Sequence, residues 1–338
     1  MAATSNQTVG VVIPAFNASG FIEDALMSVF QQTRAPNQVV VVDDCSADDT
    51  INAVRRLGIE PLIMSHNAGP ASARNAAVEV MPTVDYIAFL DADDIWKPHH
   101  LETMLNGFVS SDVGVVFSET APLEFSSDVN GCDTICPYRP EDVLVRLLYQ
   151  NMVAQSAVAV RRSDFLLVGG YADGLRYAED YDLWIRLASI TKFVHIETAT
   201  CLRRTHKAQL SKSSSRLLKG ALDARRRGVE FARAQHRMLP TEDLHRADLF
   251  FVTEALASAK YYADQSILLE LKMAFEPSSA VGQVVRRWWR SQRWIWPFVW
   301  ITAFLRRSAM VFGWRGPRRR HLQRWIGSLT SGDFLPRV

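Results

Sequence analysis

Residues 39–50 read VVVVDDCSADDT, a run of four valines followed directly by a group of aspartates. An unbroken run of β-branched residues is typical of a strand that is buried on both faces. Carboxylates, in contrast, need water, a cation or hydrogen-bond donors around them. The segment therefore raises the question of what is bound at the end of a buried strand.

Strand-like and helix-like segments alternate over residues 9–200. The strand-like segments are VGVVIPAF, QVVVVDD, EPLIMS, YIAFLD and VGVVFSE, and a helix-like segment separates each from the next. Strands joined by helical crossovers of this length predict a mostly parallel α/β sheet flanked by helices. We expect Ser19 to cap the first helix, and Asp48 and Asp49 to cap the second.

Polar residues follow four of these strands at the point where each strand ends. In a parallel sheet the carboxyl ends of the strands lie along one edge, and ligands bind beyond that edge. The sequence therefore predicts one ligand site built from four strand ends. The residues concerned are Asn17, Asp43, Asp44, His66, Asn67, Asp91, Asp93 and Asp94.

The composition is that of an ordinary globular protein, with 48% apolar and 22% charged residues in a chain of 338. Its four cysteines predict no disulfide framework. Cys132 and Cys136 lack the second Cys or His pair that a zinc site needs, so we expect the reduced thiols of a cytosolic protein. Residues 1–10, MAATSNQTVG, have neither a basic flank nor an apolar stretch, so we expect no secretory signal.

The segment IAFLDADDIWKP, residues 87–98, places Asp91, Asp93 and Asp94 directly after a strand. A hard dication such as Mg²⁺ or Mn²⁺ needs one or two carboxylates and takes its other ligands from water or from phosphates. The alternative is a solvated acidic turn whose last aspartate caps the next helix. These residues alone leave both interpretations open.

Several motifs occur in a fixed order along residues 8–211: VVIPAFNA, VVVVDDCSADDT, NAGPASARNAAVE, FLDADDIWKP, AEDYDLWIRL and RRTHKAQLS. In this order the chain resembles the family-2 (GT2) glycosyltransferases, which bind nucleotide sugars with the fold called GT-A. The resemblance implies an α/β fold of the GT-A type. Residues 213–275, rich in Arg, Ala and Leu, predict in addition a C-terminal helical extension with a break at Pro240. The resemblance also implies roles for individual residues.

By this resemblance, the PAFN segment contacts the nucleoside of the donor. Pro14, Ala15 and Asn17 would line it, and Phe16 would offer an aromatic face to the base. Asp44 would accept a hydrogen bond from a base N–H, whereas Asp43 would orient the loop. The alternative for Phe16 is packing in the core.

The resemblance also implies the phosphate and metal contacts. Arg74 would lie near the base or the pyrophosphate, although pairing with a neighbouring acid is an equal alternative. Asp91 would contact the ribose and Asp93 would coordinate Mn²⁺ or Mg²⁺, with Asp94 in support. His206 would be a further metal ligand or a phosphate contact, although a single loop histidine is more often simply at the surface.

The segment YAEDYDLWIRLA, residues 177–188, carries the catalytic residues Glu179 and Asp180 that the resemblance implies. Asp180 would be the general base that takes the proton of the acceptor hydroxyl. The alternative is that both acids only favour the N-terminus of a helix. We expect Asp182 to be structural.

The last segment, residues 281–338, has a different character. It contains twelve Arg, one Asp and seven of the nine Trp, and because the whole chain has a net charge of only +2, the rest of the chain is net acidic. Its longest uncharged stretch, residues 294–305, is shorter than the about 20 residues that span a bilayer. We expect an amphipathic anchor on an anionic membrane surface. The alternative is a basic helical bundle packed on the acidic body, and we expect no nucleic-acid partner because no such module is recognised.

Together these features predict an inverting, metal-dependent glycosyltransferase, peripheral at the cytoplasmic face of the cell membrane. It would use a nucleoside-diphosphate donor, most often UDP in this family, and a glycan or lipid-linked acceptor of envelope polysaccharide synthesis. We divide the chain into a GT-A domain (1–212), a helical extension (213–280) and the Arg/Trp-rich tail (281–338). The alternatives are a nucleotidyltransferase-like enzyme, for which the N-terminal Gly- and Arg-rich phosphate loop is missing, and a non-catalytic nucleotide-binding membrane scaffold.

Overall fold

The computed structural model describes residues 7–123, 142–175, 177–205 and 214–261, together with the single residues Leu271, Phe275 and Gly282. The described residues group into two compact units. Residues 7–123, 153–175 and 177–205 belong to the first, and residues 142–152 and 214–261 belong to the second. The Arg/Trp-rich tail, apart from Gly282, lies outside the described residues.

The elements follow one another in the order that the sequence pattern indicates, with additions. In chain order they are β1 (Val9–Ala15), α1 (Ile22–Phe30), β2 (Gln38–Asp43), α2 (Thr50–Arg56), β3 (Leu62–Ile63), α3 (Pro70–Glu79), β4 (Tyr86–Phe89), β5 (Ile95–Trp96), α4 (His100–Asn106), β6 (Val113–Pro122), α5 (Val143–Tyr149), β7 (Val158–Arg161), α6 (Arg162–Leu167), α7 (Glu179–Ala188), β8 (Lys192–Arg203), α8 (Ser214–Ala234) and α9 (Thr241–Tyr261). Helices α5, α8 and α9 belong to the second unit, and the other elements form the first.

The first unit is built on one eight-stranded sheet with the strand order β3-β2-β1-β4-β7-β6-β8-β5. Strands β3, β2, β1 and β4 are parallel to one another, and β6 is parallel to β8. Strand β7 is antiparallel to both β4 and β6, and β5 is antiparallel to β8. The prediction of a mostly parallel α/β sheet flanked by helices is confirmed. The structure also shows β7 inserted antiparallel between β4 and β6, which was not predicted.

Burial explains why the apolar runs form the central strands. Val9, Val11, Val12 and Ile13 of β1 are fully buried between two neighbouring strands and the helices. In β2 the burial is uneven, because the first half of the valine run is only partly covered, whereas Val41 and Val42 are fully buried. Strand β2 is therefore buried most deeply at the end that leads into the polar loop.

The starts of the first two helices differ from our prediction. Ser19 does not cap α1, which begins at Ile22. The N–H groups of Phe21 and Ile22 bond to the carbonyl of Ala18, and the N–H of Ser19 donates to Asp48 at 3.1 Å. The residues before the helix therefore form a turn that leaves the Ser19 side chain out of the cap.

Asp48 and Asp49 behave differently from one another at the start of α2. Asp48 accepts a hydrogen bond from the N–H of Thr50 at 3.1 Å, as expected of a residue at a helix start. Asp49, in contrast, makes no cap hydrogen bond, because its carboxylate accepts from Asn52 and Arg56 instead. The prediction that Asp49 caps α2 with its side chain was therefore wrong.

The second unit is helical over its described residues. Tyr149 of α5 contacts Phe250 of α9 with ring centroids 5.5 Å apart, and the buried Arg225 of α8 bonds to Asp248 of α9 at 2.5 Å. Pro240 lies between α8 and α9, at the break that the sequence predicts. Of the helices that the structure describes, none has both the length and the apolar character needed to cross a membrane.

Candidate functional site

The loops that follow β1 and β2 are joined by hydrogen bonds. Asn17 and Cys45 have left-handed backbone conformations, with φ of 49° and 64°. The N–H of Asn17 donates to Ser46 Oγ at 2.9 Å, and Asn17 Oδ1 accepts from the N–H of Ala47 at 2.9 Å. Left-handed non-glycine residues are uncommon and cluster at functional sites. The two loops therefore form one stiff rim at the carboxyl ends of β1 and β2.

The PAFN segment on this rim combines buried and exposed residues. Ala15 is buried and Pro14 is partly buried, as parts of β1. Phe16 is 50% exposed, which excludes the alternative of core packing. An aromatic ring that stays half-exposed beside a stiff loop offers a face on which a planar base could stack.

The two aspartates at the end of β2 hold the neighbouring loops. Asp43 Oδ2 accepts from the N–H of Ser46 at 2.9 Å, and Asp43 thus contacts the loop that it was expected to orient. Asp44 is buried, and its two carboxylate oxygens accept from the N–H groups of Ala68 and Gly69 at 2.8 Å each. A carboxylate oxygen can accept a further bond, so Asp44 can still receive one from a ligand while it holds the loop before α3.

Asp91, Asp93 and Asp94 form what we call the acid turn, residues 91–94 after β4. One carboxylate oxygen from each of the three acids lies within 4.8 Å of the others. Burial, followed by the nearby charge of Asp91 and Asp93, raises the pKa of Asp94 to about 7. Mutual repulsion of this kind is relieved by a cation, and an all-oxygen donor set suits Mg²⁺ or Mn²⁺.

The acid turn does not cap the next helix. Helix α4 begins at His100, and no side chain forms a hydrogen bond at its cap. The alternative interpretation of these acids as a helix cap is therefore wrong. The residues present fit a divalent cation held by Asp93 and its two neighbours.

Arg74 of α3 links the acid turn to the start of α7. Its side chain is 4% exposed; one terminal nitrogen is 2.7 Å from Asp91 Oδ1 and the other is 2.9 Å from Glu179 Oε1. The guanidinium also lies 5.4 Å from the ring centre of Tyr171. Burial acts to lower the pKa of Arg74, but the charges of Asp91 and Glu179 outweigh it and raise the pKa, so the guanidinium stays charged. The structure therefore shows the second arrangement considered for Arg74, in which it pairs with neighbouring acids.

Helix α7 presents Asp180 beside this link. Ala178, directly before the helix, has a left-handed φ of 57°. Asp180 is partly exposed, and its Oδ1 accepts from the N–H of Tyr181 at 2.8 Å. Leu183, Trp184 and Leu187 are fully buried, so the apolar side of the helix is fixed in the core while Asp180 stays partly exposed.

Asp182 lies on the buried side of α7. It is fully buried and forms a 2.5 Å ion pair with Arg186, one turn further along the helix. The prediction that Asp182 is structural agrees with this pairing.

The sequence did not single out Ser156 or the true partners of Arg204. Ser156 is buried, and its Oγ accepts from the N–H of Asp91 at 3.1 Å. The N–H of Arg204 donates to Asp94 Oδ1 at 3.1 Å, and its guanidinium contacts the carbonyl of Asp93 and the carboxylate of Asp24. A basic residue in the RRTH motif was a signal for Arg204, whereas a single serine before a strand gave none. His206 lies outside the described residues.

Comparison with known proteins shows which family part of this chain matches. The family model described as glycosyl transferase family 2 matches residues 10–122. The β-1,3-glucosyltransferase WfgD of Escherichia coli, named as acting on UDP-Glc and α-D-GlcNAc-diphosphoundecaprenol, is 28% identical over 61% of this chain and 78% of its own length. The amylovoran biosynthesis glycosyltransferase AmsE of Erwinia amylovora is 30% identical over 50% of this chain and 64% of its own length.

Other relatives are matched over smaller fractions. Two of them, from Bacillus subtilis and Nostoc, are 38% and 35% identical but are covered over 40% and 34% of their length, so this chain spans less than half of each. Among solved structures, the mannosyltransferase PcManGT of Pyrobaculum calidifontis, in complex with GDP-Man and Mn²⁺, superimposes with a TM-score of 0.56 at 17% identity. That superposition covers 92% of this chain and 89% of PcManGT. At this identity the likeness is one of fold. Residues 10–122 therefore match glycosyl transferase family 2, and the described fold is of the GT-A type, with strand ends that carry the site described above.

Proposed function

We propose that the chain transfers a sugar from a nucleoside-diphosphate donor to an acceptor hydroxyl, with inversion at the anomeric carbon. The observation that carries this proposal is that the buried guanidinium of Arg74 bonds to both Asp91 and Glu179. It brings the acid turn, which would meet the donor phosphates, next to the helix start that carries Asp180. A donor site and a base side by side are what a displacement at one carbon requires.

The donor nucleoside would bind on the rim formed by the loops after β1 and β2. The half-exposed Phe16 would stack on the base, and Asp44 would accept a hydrogen bond from a base N–H. Uracil and guanine both present such an N–H, and the relatives include proteins named with UDP-Glc and with GDP-Man. We propose UDP as the nucleotide, because WfgD is named with UDP-Glc and this chain matches 78% of the length of WfgD.

A divalent cation, Mn²⁺ or Mg²⁺, would be held by Asp93 with its neighbours Asp91 and Asp94, and by His206. When bound, such a cation neutralises charge on the departing nucleoside diphosphate. The three convergent carboxylate oxygens support this assignment. The complex of PcManGT with GDP-Man and Mn²⁺ supports it as well.

Asp180 would act as the general base. Its carboxylate takes the proton from the acceptor hydroxyl as that oxygen forms a bond to the anomeric carbon. The bond from this carbon to the phosphate oxygen breaks on the opposite face, and the electron pair leaves with the nucleoside diphosphate. Glu179, fixed by Arg74, would set the position of Asp180. A positioned base contributes typically about 10²–10⁴-fold to the rate.

The acceptor would be a glycan or a lipid-linked sugar in envelope polysaccharide synthesis. Support comes from the names of WfgD, with its diphosphoundecaprenol acceptor, and of AmsE. A lipid-linked acceptor requires access to a membrane, so we propose that residues 281–338 lie on its anionic cytoplasmic face. Their twelve arginines and seven tryptophans support this by composition. The division of the chain into residues 1–212, 213–280 and 281–338 belongs to the same proposal.

The test uses full-length protein, Mn²⁺ and a panel of UDP- and GDP-sugars, with nucleoside-diphosphate release as the readout. Asp180→Asn should lose at least about 100-fold of the release rate while it still binds UDP. Asp93→Ala should also lose release activity, and the release that remains should no longer depend on Mn²⁺. Asp112→Asn is the matched control. Asp112, on the loop before β6, is an exposed acid that pairs with Lys192. The proposal is refuted if wild-type protein binds no nucleoside diphosphate in the presence of Mn²⁺.

The same panel separates the alternative functions. A nucleotidyltransferase would release pyrophosphate from a nucleoside triphosphate rather than a nucleoside diphosphate from a sugar donor. A scaffold would bind the nucleotide without any turnover, and its binding would be indifferent to Asp180→Asn.

A further inference from the structure

We propose that Ser156 is a positioning residue that holds the acid turn in the geometry needed to bind a divalent cation. The inference rests on the proposed function, because it assigns a role within the same cation site. It concerns a residue that touches neither the donor nor the reacting atoms and acts only through the chain that forms the turn.

Ser156 contacts the chain at the start of the acid turn and just beyond its end. Its Oγ accepts from the N–H of Asp91 at 3.1 Å, where the turn begins. Its carbonyl accepts from Trp96 Nε1 at 2.6 Å, just beyond the turn. One residue on the short 3₁₀ turn before β7 thus fixes two points, Asp91 and Trp96, along six residues of chain.

The turn needs such a support because its own charges oppose its shape. Three carboxylate oxygens within 4.8 Å of one another repel, and in a partly buried site water screens that repulsion poorly. Asp91 is held by Arg74 and by Ser156, and Asp94 is held by the N–H of Arg204. These contacts keep the acids converged in the absence of a cation, so that a cation meets ligands already in place.

A hydroxyl suits this position better than other groups would. Its oxygen has a lone pair that accepts the N–H of Asp91. Ser156 is 2% exposed, so solvent has little access to replace the hydroxyl if it is removed. Loss of the hydroxyl leaves the N–H of Asp91 without its acceptor. Because Arg204 still holds Asp94, the turn is loosened rather than released.

The decisive measurement is Mn²⁺ affinity by electron paramagnetic resonance of the free ion, made with full-length protein and saturating UDP. Removal of a group that orients a metal ligand typically weakens metal binding by about 10–100-fold. We expect Ser156→Ala to weaken Mn²⁺ binding by about tenfold. This is the lower end of the range, because Arg204 still bonds to Asp94. Raising Mn²⁺ should restore kcat in turnover assays, so that the loss is confined to the Mn²⁺ concentration for half-maximal activity.

Ser189→Ala is the matched control. Ser189 is also buried, and its hydroxyl donates to the carbonyl of Ile185 in α7 rather than to the acid turn. Both variants lose one buried hydroxyl, so both should lower the thermal midpoint, but only Ser156→Ala should change Mn²⁺ affinity. Ser156→Cys keeps a weak acceptor at the same position, and we expect an affinity between wild type and Ser156→Ala. If Ser156→Ala folds poorly, the Mn²⁺ affinity of Ser156→Cys still tests the role of Ser156.

Two results would overturn the inference in distinguishable ways. If wild type binds Mn²⁺ with UDP and the Ser156 variants bind it equally tightly, Ser156 has no positioning role, although the proposed function stands. If wild type binds neither UDP nor Mn²⁺, the proposed function fails and this inference fails with it.

Discussion

Arg74 and Glu179, separated by 105 positions in the sequence, form a buried ion pair with an N–O distance of 2.9 Å. The pair joins α3, which follows the nucleotide-side loop, to α7, which carries the proposed base. Because the same guanidinium also bonds to Asp91, a change at Arg74 affects the acid turn and the base helix together.

Arg74→Lys should lower both stability and activity. An ammonium is a compact charge that cannot bond to Asp91 and Glu179 with two separate nitrogens. Because lysine keeps the positive charge, the loss of unfolding free energy should stay below the about 3–5 kcal/mol that removal of one partner of a buried ion pair costs. Urea unfolding and nucleoside-diphosphate release test this. Arg55→Lys is the control, because Arg55 forms an exposed pair with Glu60 and should change little. A Lys variant with wild-type stability and kcat would contradict the coupling.

Phe16→Ala should weaken nucleotide binding without unfolding the protein. Loss of a stacked aromatic ring costs about 1–3 kcal/mol per base, which is roughly 5- to 150-fold in Kd. Calorimetric titration with UDP measures this. Phe30→Ala is the matched control, because Phe30 on α1 is 46% exposed against 50% for Phe16. Equal UDP affinities in the two variants would remove Phe16 from the nucleotide site.

Acid should destabilise the protein through His100. This buried histidine bonds to Thr200 at 2.6 Å and stacks on Trp96, and burial lowers its pKa to about 3 from an ordinary value near 6.5. The folded state therefore binds fewer protons than the unfolded state between these values. The contribution to stability is complete above about pH 6.5 and is lost as the pH falls, with a limiting slope of about 1.4 kcal/mol per pH unit.

Denaturant unfolding of wild type and His100→Gln between pH 7 and pH 4.5 isolates this effect. The variant starts less stable at pH 7, because its side chain fits the site less well, but its stability should fall less steeply with acid. Parallel pH profiles for the two proteins would show that His100 does not titrate as described.

The arginines at the start of the tail should drive membrane association. Each Lys or Arg near an anionic surface contributes about 1 kcal/mol, so replacing four of them should reduce binding by orders of magnitude. The test is co-sedimentation of full-length protein with vesicles of 30% phosphatidylglycerol, with neutral vesicles as the control. The substitutions are Arg286→Gln, Arg287→Gln, Arg290→Gln and Arg293→Gln. Undiminished binding to the anionic vesicles would refute the anchor.

The sequence by itself determined the elements and the edge of the sheet that carries the site. Valine runs form β1 and β2 because β-branched residues suit buried strands. The apolar face of α7 is buried because its residues recur at helical spacing. Since parallel strands end at one edge, polar residues after β1, β2 and β4 had to lie close together. These properties depend on local pattern and on a topological rule, and both can be read along the chain.

Only the tertiary structure decided which side chains hold one another in place. It inserted β7 antiparallel between β4 and β6, and so brought Ser156 beneath the acid turn. It paired Arg74 with Glu179 and gave Asp48 a donor from the loop before α1. The physical reason is that a buried polar group must find a partner, and the partner available is whichever group the fold places within about 3 Å, regardless of its distance along the chain.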